Sequence, residues 1–183
     1  MQIADTETKY GLITRLLHWS VAGLILWQFL GMGLRLMLGR HPVAGFFVGT
    51  HQWIGALLFV LIVARVLWAL INMGNRPPHE GLLGLAAKAG HALLYVLMVA
   101  VPALGLLRAW GGTRGFAPLG IPIFAPRAEG EEIGWAVNAA NLLHGELAWL
   151  LGAVVLGHVA MVGVHEGLWR DGTLRRMLGR PRR

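Results

Sequence analysis

The chain of 183 residues contains no cysteine. That absence excludes a disulfide framework, a thiolate metal site, covalent attachment of a c-type haem and a cysteine nucleophile. Charge is scarce too. Charged residues make up 14% of the chain, against about a quarter in an ordinary soluble domain. Acidic residues are the scarcest of these, nine Asp and Glu against sixteen Lys and Arg, for a formal net charge of +7 and a pI near 11.3. Such a balance suggests a nucleic-acid partner until the charges are placed. They cluster at the ends of apolar segments, which is a signal of membrane topology rather than a nucleic-acid footprint, and no nucleic-acid partner is expected. No cleavable signal peptide is expected, because the first apolar segment is too long and is followed by others like it. There is no internal repeat, and no low-complexity tail beyond the basic C-terminus.

What the chain has in excess is apolar length. It is 56% hydrophobic, with a mean hydropathy of +0.59. Four apolar stretches stand out, at about 14–38, 46–71, 83–107 and 141–169. Each reaches the ~20 residues a spanning helix needs, and helices are the open-chain way to satisfy backbone groups in lipid. The expected fold is therefore all-α, a bundle of four transmembrane helices forming one domain over 1–183. Arg76-Pro77-Pro78-His79-Glu80 reads as a polar break between the second and third spans. Pro102 lies inside the third, where it is expected to kink the helix. Trp110 to Val137, with its prolines and the acidic residues Glu129, Glu131 and Glu132, reads as an ordered or partly helical loop outside the membrane. The acidic cluster reads as solvated surface, with a docking face as the other reading.

Orientation follows from Lys and Arg. Eleven fall on one side, among them Lys9, Arg15, Arg65, Lys88 and the C-terminal arginines. Five fall on the other: Arg35, Arg40, Arg108, Arg114 and Arg127. Both termini are thus expected to be cytoplasmic. Trp19, Trp68, Trp110, Trp135 and Trp169 lie near the segment ends, as interfacial anchors do.

Eight histidines carry the functional reading. His41 and His79 sit in loop-like contexts and read as solvated. The other six, His18, His51, His91, His144, His158 and His165, fall inside or at the ends of spans, where ionisable groups are costly and mark function by default. One alone would read as a hydrogen-bonded packing residue; six over four helices ask for more. His158 follows His144 by fourteen residues, ~21 Å further along the helix and within ~40° of the same face. His51 matches the depth of His144, and His18 roughly that of His158. Two His–His pairs facing one another across a bundle are what two bis-histidine haems require. Gly55, one turn after His51, leaves room for a flat macrocycle. Zinc and copper are less suited, since cysteine is absent and carboxylates are scarce at these depths. Histidine pairs also occur in proton pathways, so spacing alone leaves a relay open.

The residues in sequence resemble bacterial cytochrome b561 proteins from about Tyr10 to Leu178. The resemblance rests on Tyr10 with His18-Trp19, on His51-Gln52-Trp53-Ile54-Gly55 leading to Val63-Ala64-Arg65, and on Gly90-His91 with Tyr95 and Pro102-Ala103-Leu104-Gly105. Its densest part is Leu143-His144-Gly145-Glu146-Leu147-Ala148, then Gly157-His158, His165 and Leu168-Trp169-Arg170-Asp171-Gly172-Thr173-Leu174. It implies a multi-pass protein of the bacterial inner membrane that binds two haem b groups, with His18, His51, His144 and His158 as the iron ligands. It also implies electron exchange with ubiquinone. Some members are similar to superoxide oxidases, which pass an electron from superoxide to quinone; others in the wider superfamily are membrane subunits of hydrogenases and dehydrogenases. In the well-studied member type a second histidine directly follows the position of His165, where this chain has Glu166.

His91 and His165, near the cytoplasmic ends of their helices, are then candidates for quinone contacts or haem propionate partners. Arg15 and Arg65 are candidates for propionates or interfacial anions, with Arg35 and Arg108 beside them, and lipid headgroups are the other use for each. The expected function is electron transfer from an outer-side donor, superoxide or a redox protein, to ubiquinone within the lipid bilayer. Its class is an oxidoreductase or an electron-transfer cytochrome. The rivals are a cytochrome subunit anchoring a hydrogenase or dehydrogenase, a proton-coupled transporter built on histidine relays, and a purely structural anchor.

Overall fold

A computed structural model describes residues 2–6, 9–75 and 81–180. Helix α1 spans Leu12–Leu38, α2 Pro42–Ile71, α3 Gly81–Gly111 and α4 Gly134–Val164. A π-helical turn, His165–Trp169, ends α4, and a short helix α5 follows over Thr173–Met177. All four long helices are apolar enough to cross a membrane. Even the 27 residues of α1 extend ~40 Å, more than the ~30 Å of a hydrocarbon core. The polar break at Arg76–Glu80, His79 within it, and the last two arginines lie outside the described residues.

The helices run alternately up and down, α1 packing chiefly on α2 and α3 on α4. The middle of the bundle is closed by Val21, Ile25, Leu58, Ile62, Leu94, Leu97, Met98, Val101 and Leu151. The outward faces are equally apolar: Leu26, Val60, Val96, Leu142 and Leu156 are all exposed. A helix apolar on every side is one whose outer face meets lipid. Close helix approach depends on small residues. At Gly31 a Cβ would come within 2.8 Å of the Phe47 Cβ on α2.

All four helices start earlier than hydropathy predicts, α1 and α3 by only two residues. α2 starts at Pro42, not near 46, because His41 caps it. Its side chain accepts from the Val43 amide at 3.2 Å, and proline suits the first helical position. α3 continues to Gly111, past the apolar run that ends near Leu107. α4 begins at Gly134 rather than near Asn141, the polar Asn138 and Asn141 having masked its first two turns. What remains between α3 and α4 is ordered by a bridge between Phe116 and Phe124, whose amides and carbonyls bond at 2.8 and 3.0 Å. α3 is continuous through Pro102.

Both described termini lie at one end of the bundle, called here the terminal end. Asp5 is buried there. Its Oδ1 accepts from the Gly11 amide at 2.8 Å and the Thr14 hydroxyl at 2.6 Å. Trp68 on α2 donates to the same Thr14 oxygen at 2.8 Å, and the Asn72 side chain donates to the Trp68 carbonyl at 3.0 Å. The carboxylate thus holds the start of α1, whose first amides have no partner within the helix. From the other direction, Arg15 and Trp19 on α1 donate to the carbonyls of Leu178 and Met177 at 3.1 and 3.3 Å. These bonds satisfy carbonyls that the end of α5 leaves over.

Candidate haem-binding layers

Two layers of basic side chains cross the bundle, one toward each end, with the apolar core between them. In the layer toward the far end, His51 on α2 faces His144 on α4. Their ring centroids are 6.0 Å apart and the planes are nearly perpendicular, at 79°. His144 Nδ1 lies 2.9 Å from the Val101 carbonyl on α3. A carbonyl only accepts, so Nδ1 carries the proton and Nε2 keeps its lone pair. Gly105 makes this seat possible, since a Cβ there would lie 3.3 Å from His144 Cε1. Gln28 on α1 donates from Nε2 to the His51 carbonyl at 2.9 Å. His51 Nδ1 is buried and has no hydrogen-bond partner among the described residues.

Beside this pair is an apolar cavity of about 80 Å³, lined by His51, His144, Gln28 and Gly55 together with core residues such as Phe29 and Leu58. A Cβ on Gly55 would come within 3.3 Å of the Gln28 amide nitrogen, so the glycine keeps this wall open.

In the layer toward the terminal end, each long helix contributes one basic residue. His18 on α1 and His158 on α4 have centroids 6.4 Å apart at 62°. His91 on α3 lies 5.5 Å from His158 at 79°, with its Nδ1 2.7 Å from the Ala87 carbonyl of its own helix. Arg65 on α2 is within electrostatic reach of His18 and His158. Its Cζ lies 5.8 Å over the Tyr95 ring, and its Nε and Nη1 are buried without a hydrogen-bond partner among the described residues.

The pair spacing can be tested against haem. An imidazole nitrogen sits about 2 Å from a bound metal and about 1 Å from its own ring centre, so two rings on opposite sides of one metal have centroids about 6 Å apart. Both pairs meet that spacing. The unpaired buried Nδ1 of His51, the carbonyl-anchored ring of His144 and the glycine-walled apolar cavity suit a flat, hydrophobic macrocycle. A backbone carbonyl on the second ring nitrogen is the usual way a protein fixes a metal-binding imidazole. Among the described residues no group of three or more His, Cys, Asp or Glu converges to hold a metal ion alone.

Helical spacing thus puts His51 with His144 and His18 with His158, and the structure brings both pairs together. It also brings His91 into the second layer, where depth alone gives no partner for it. Arg15 is not in either layer; its guanidinium is engaged at the Leu178 carbonyl. His165 lies beyond the second layer, with Nδ1 2.6 Å from Asp171 Oδ2. Asp171 and Asp5 were not legible as site or locking residues. The signals for Asp171 were the polar Arg170-Asp171-Gly172-Thr173 break directly after a long span and its place in the Leu168–Leu174 stretch that carries the resemblance.

Residues 9–180 match the family described as prokaryotic cytochrome b561. The chain is 30% identical over 184 residues to cytochrome b561 homolog 2 of Escherichia coli K12, covering 98% of this chain and 96% of that protein. It is also 32% identical over 120 residues to cytochrome b562 of Cereibacter sphaeroides, covering 61% of this chain and 72% of that one.

Proposed function

The chain belongs to the prokaryotic cytochrome b561 family of haem-binding membrane electron-transfer proteins, and we propose that it carries electrons between a donor at the far end of the bundle and ubiquinone. The observation that carries this is the pair of facing histidine couples, 6.0 and 6.4 Å between centroids, one near each end of the bundle. His51 and His144 hold one haem b; His18 and His158 hold the second. Bound haem supplies one-electron iron chemistry that no side chain of this chain can perform.

The protein's own contribution is placement and environment. The helices seat four imidazoles at two depths, and the core between the layers excludes water. Arg65 is the partner for a haem propionate, because its Nε and Nη1 are buried and unengaged while Arg15 is committed to Leu178. His91 and His165 serve a ubiquinone at the terminal end. That end is cytoplasmic, since it carries most of the lysine and arginine.

With two histidines committed to each haem, the donor would react at the periphery of the site. Superoxide fits: it leaves as dioxygen after giving up one electron, and two superoxides with two protons convert one ubiquinone to ubiquinol. Arg35, Arg40, Arg108, Arg114 and Arg127 at the far end draw such an anion in.

The test is haem b per chain in purified protein, by pyridine haemochrome, followed by superoxide-driven ubiquinone reduction in the isolated chain. Two haems per chain and turnover are expected. One haem would remove one of the pairs, and none would promote the proton relay. Two haems without turnover would point to an obligate partner subunit.

A further inference from the structure

α4 and the π turn that ends it carry three histidines along one stripe. His165 follows His158 by seven residues, a rotation within about 20° of two full turns and an advance of about 10 Å. It therefore stands on the face of α4 that carries the ligand pair, one step nearer the terminal-end surface.

The backbone departs from an ordinary helix at this point. His165–Trp169 forms a π turn, and Arg170 follows in the left-handed region at φ 50°, ψ 36°. π turns are rare and frequent at functional sites, and non-glycine residues seldom take positive φ. Together the two features turn the chain back on itself. The Asp171 amide donates to the His165 carbonyl at 3.3 Å, and Asp171 Oδ2 lies 2.6 Å from His165 Nδ1. The other carboxylate oxygen accepts from the Thr173 amide at 2.9 Å and its hydroxyl at 2.7 Å. Arg176 in turn donates to the Thr173 hydroxyl at 3.1 Å.

The carboxylate is thereby held at both oxygens. Burial raises its pKa, but bonds from the Thr173 hydroxyl, His165 and the Thr173 amide outweigh this and bring it to about 2. Asp171 is ionised and can only accept, so His165 Nδ1 carries a proton and Nε2 is left to exchange one. Arg170, next to Asp171 in the turn, is exposed. Glu166 lies 3.9 Å from Arg175, Arg176 is bound to Thr173, and Trp169 meets the imidazole edge-on at 4.7 Å. His158 is the next titratable group up the helix. The side chains of His165 and Asp171 are 27% and 28% exposed, so water reaches the pair.

We infer that His165 and Asp171 form a proton-exchange dyad at the terminal end, in which Asp171 is the positioning residue and His165 Nε2 passes the protons that ubiquinone takes up on reduction. This rests on the ubiquinone reading above. One ubiquinone takes two electrons from the protein and two protons, delivered one at a time through His165, which water reprotonates between deliveries. In reverse, ubiquinol releases both protons through the same imidazole while its two electrons enter the protein.

The reverse direction gives the test. Haem-loaded protein is mixed with ubiquinol, and haem reduction is followed by absorbance across a range of pH. Asp171→Asn is expected to slow reduction by about tenfold to a hundredfold and to shift its pH profile, with haem content and spectrum unchanged. An asparagine amide can donate to Nδ1 and move the ring proton to Nε2, the wrong tautomer for accepting one. Asp171→Glu should restore most of the rate, and Thr173→Val, which loosens only Oδ1, should give a smaller loss in the same direction. A wild-type rate and pH profile in Asp171→Asn overturns the dyad alone; if that variant loses haem, the same result in Thr173→Val does so. Wild-type protein that dithionite reduces but ubiquinol does not overturns the ubiquinone reading, and the dyad with it.

Discussion

His144 Nδ1 donates its proton to the Val101 carbonyl across 2.9 Å, tying the imidazole of α4 to the backbone of α3 just before Pro102. The opposing His51 has no such tie, its Nδ1 being buried and unpaired among the described residues. The two members of the far-end pair are therefore held unequally, although they face each other squarely.

Replacing His144 by alanine removes a ring and its anchor together. The variant is expected to retain about half the haem of the wild type by pyridine haemochrome. His51→Ala should do the same, whereas His91→Ala should keep the full complement. Loss of haem from His91→Ala would instead make His91 a ligand of the terminal-end site.

Arg65 is the permanent cation of the terminal-end layer, with Nε and Nη1 out of solvent. A positive charge near a haem favours the reduced iron, which carries one less positive charge. Removing a charge about 10 Å away at an effective dielectric near 20 changes the balance by about 1–2 kcal/mol, where 1.4 kcal/mol is about 59 mV for one electron. Arg65→Leu should therefore lower one of the midpoint potentials by tens of millivolts and leave the other unmoved. Potentiometric titration of the haem absorbance measures both.

Asp5 ties the N-terminal segment to α1, and through the shared Thr14 oxygen to α2. Asp5→Ala strands the Gly11 amide and the Thr14 hydroxyl in a buried setting, at a cost of about 1–3 kcal/mol. The thermal midpoint in detergent should fall, with the haem spectrum unchanged below the transition. An unaltered midpoint would mean that water replaces the carboxylate without loss.

The Asp171 carboxyl titrates near 2 in the folded chain against an ordinary value of 3.8. A depressed folded pKa stabilises above the unfolded value and ceases to do so as pH falls through the folded one. The turn from His165 to Thr173 should thus be equally protected from amide exchange from pH 5 to 8. It should lose protection between about pH 4 and 2. In Asp171→Asn that acid step should vanish.

Apolar length and residue spacing were enough to place the four spans, their alternation and the relative depths of His18, His51, His144 and His158. These are local quantities. Apolar length decides what can sit in lipid, and a helix rises by a fixed distance per residue. That is why the spacing of His144 and His158 on one helix was enough to match His51 and His18 on two others. Periodicity does not determine how each helix is rotated toward its neighbours, or which groups at one depth meet. Packing between helices brings His91 and Arg65 into one layer with His18 and His158, and turns Arg15 instead to the C-terminal segment. The same holds for Asp5, distant in sequence from Trp68 and Asn72. The contact of Asp171 with His165 depends on a π turn and a left-handed arginine, conformations that residue preferences argue against and that the packed chain nevertheless enforces.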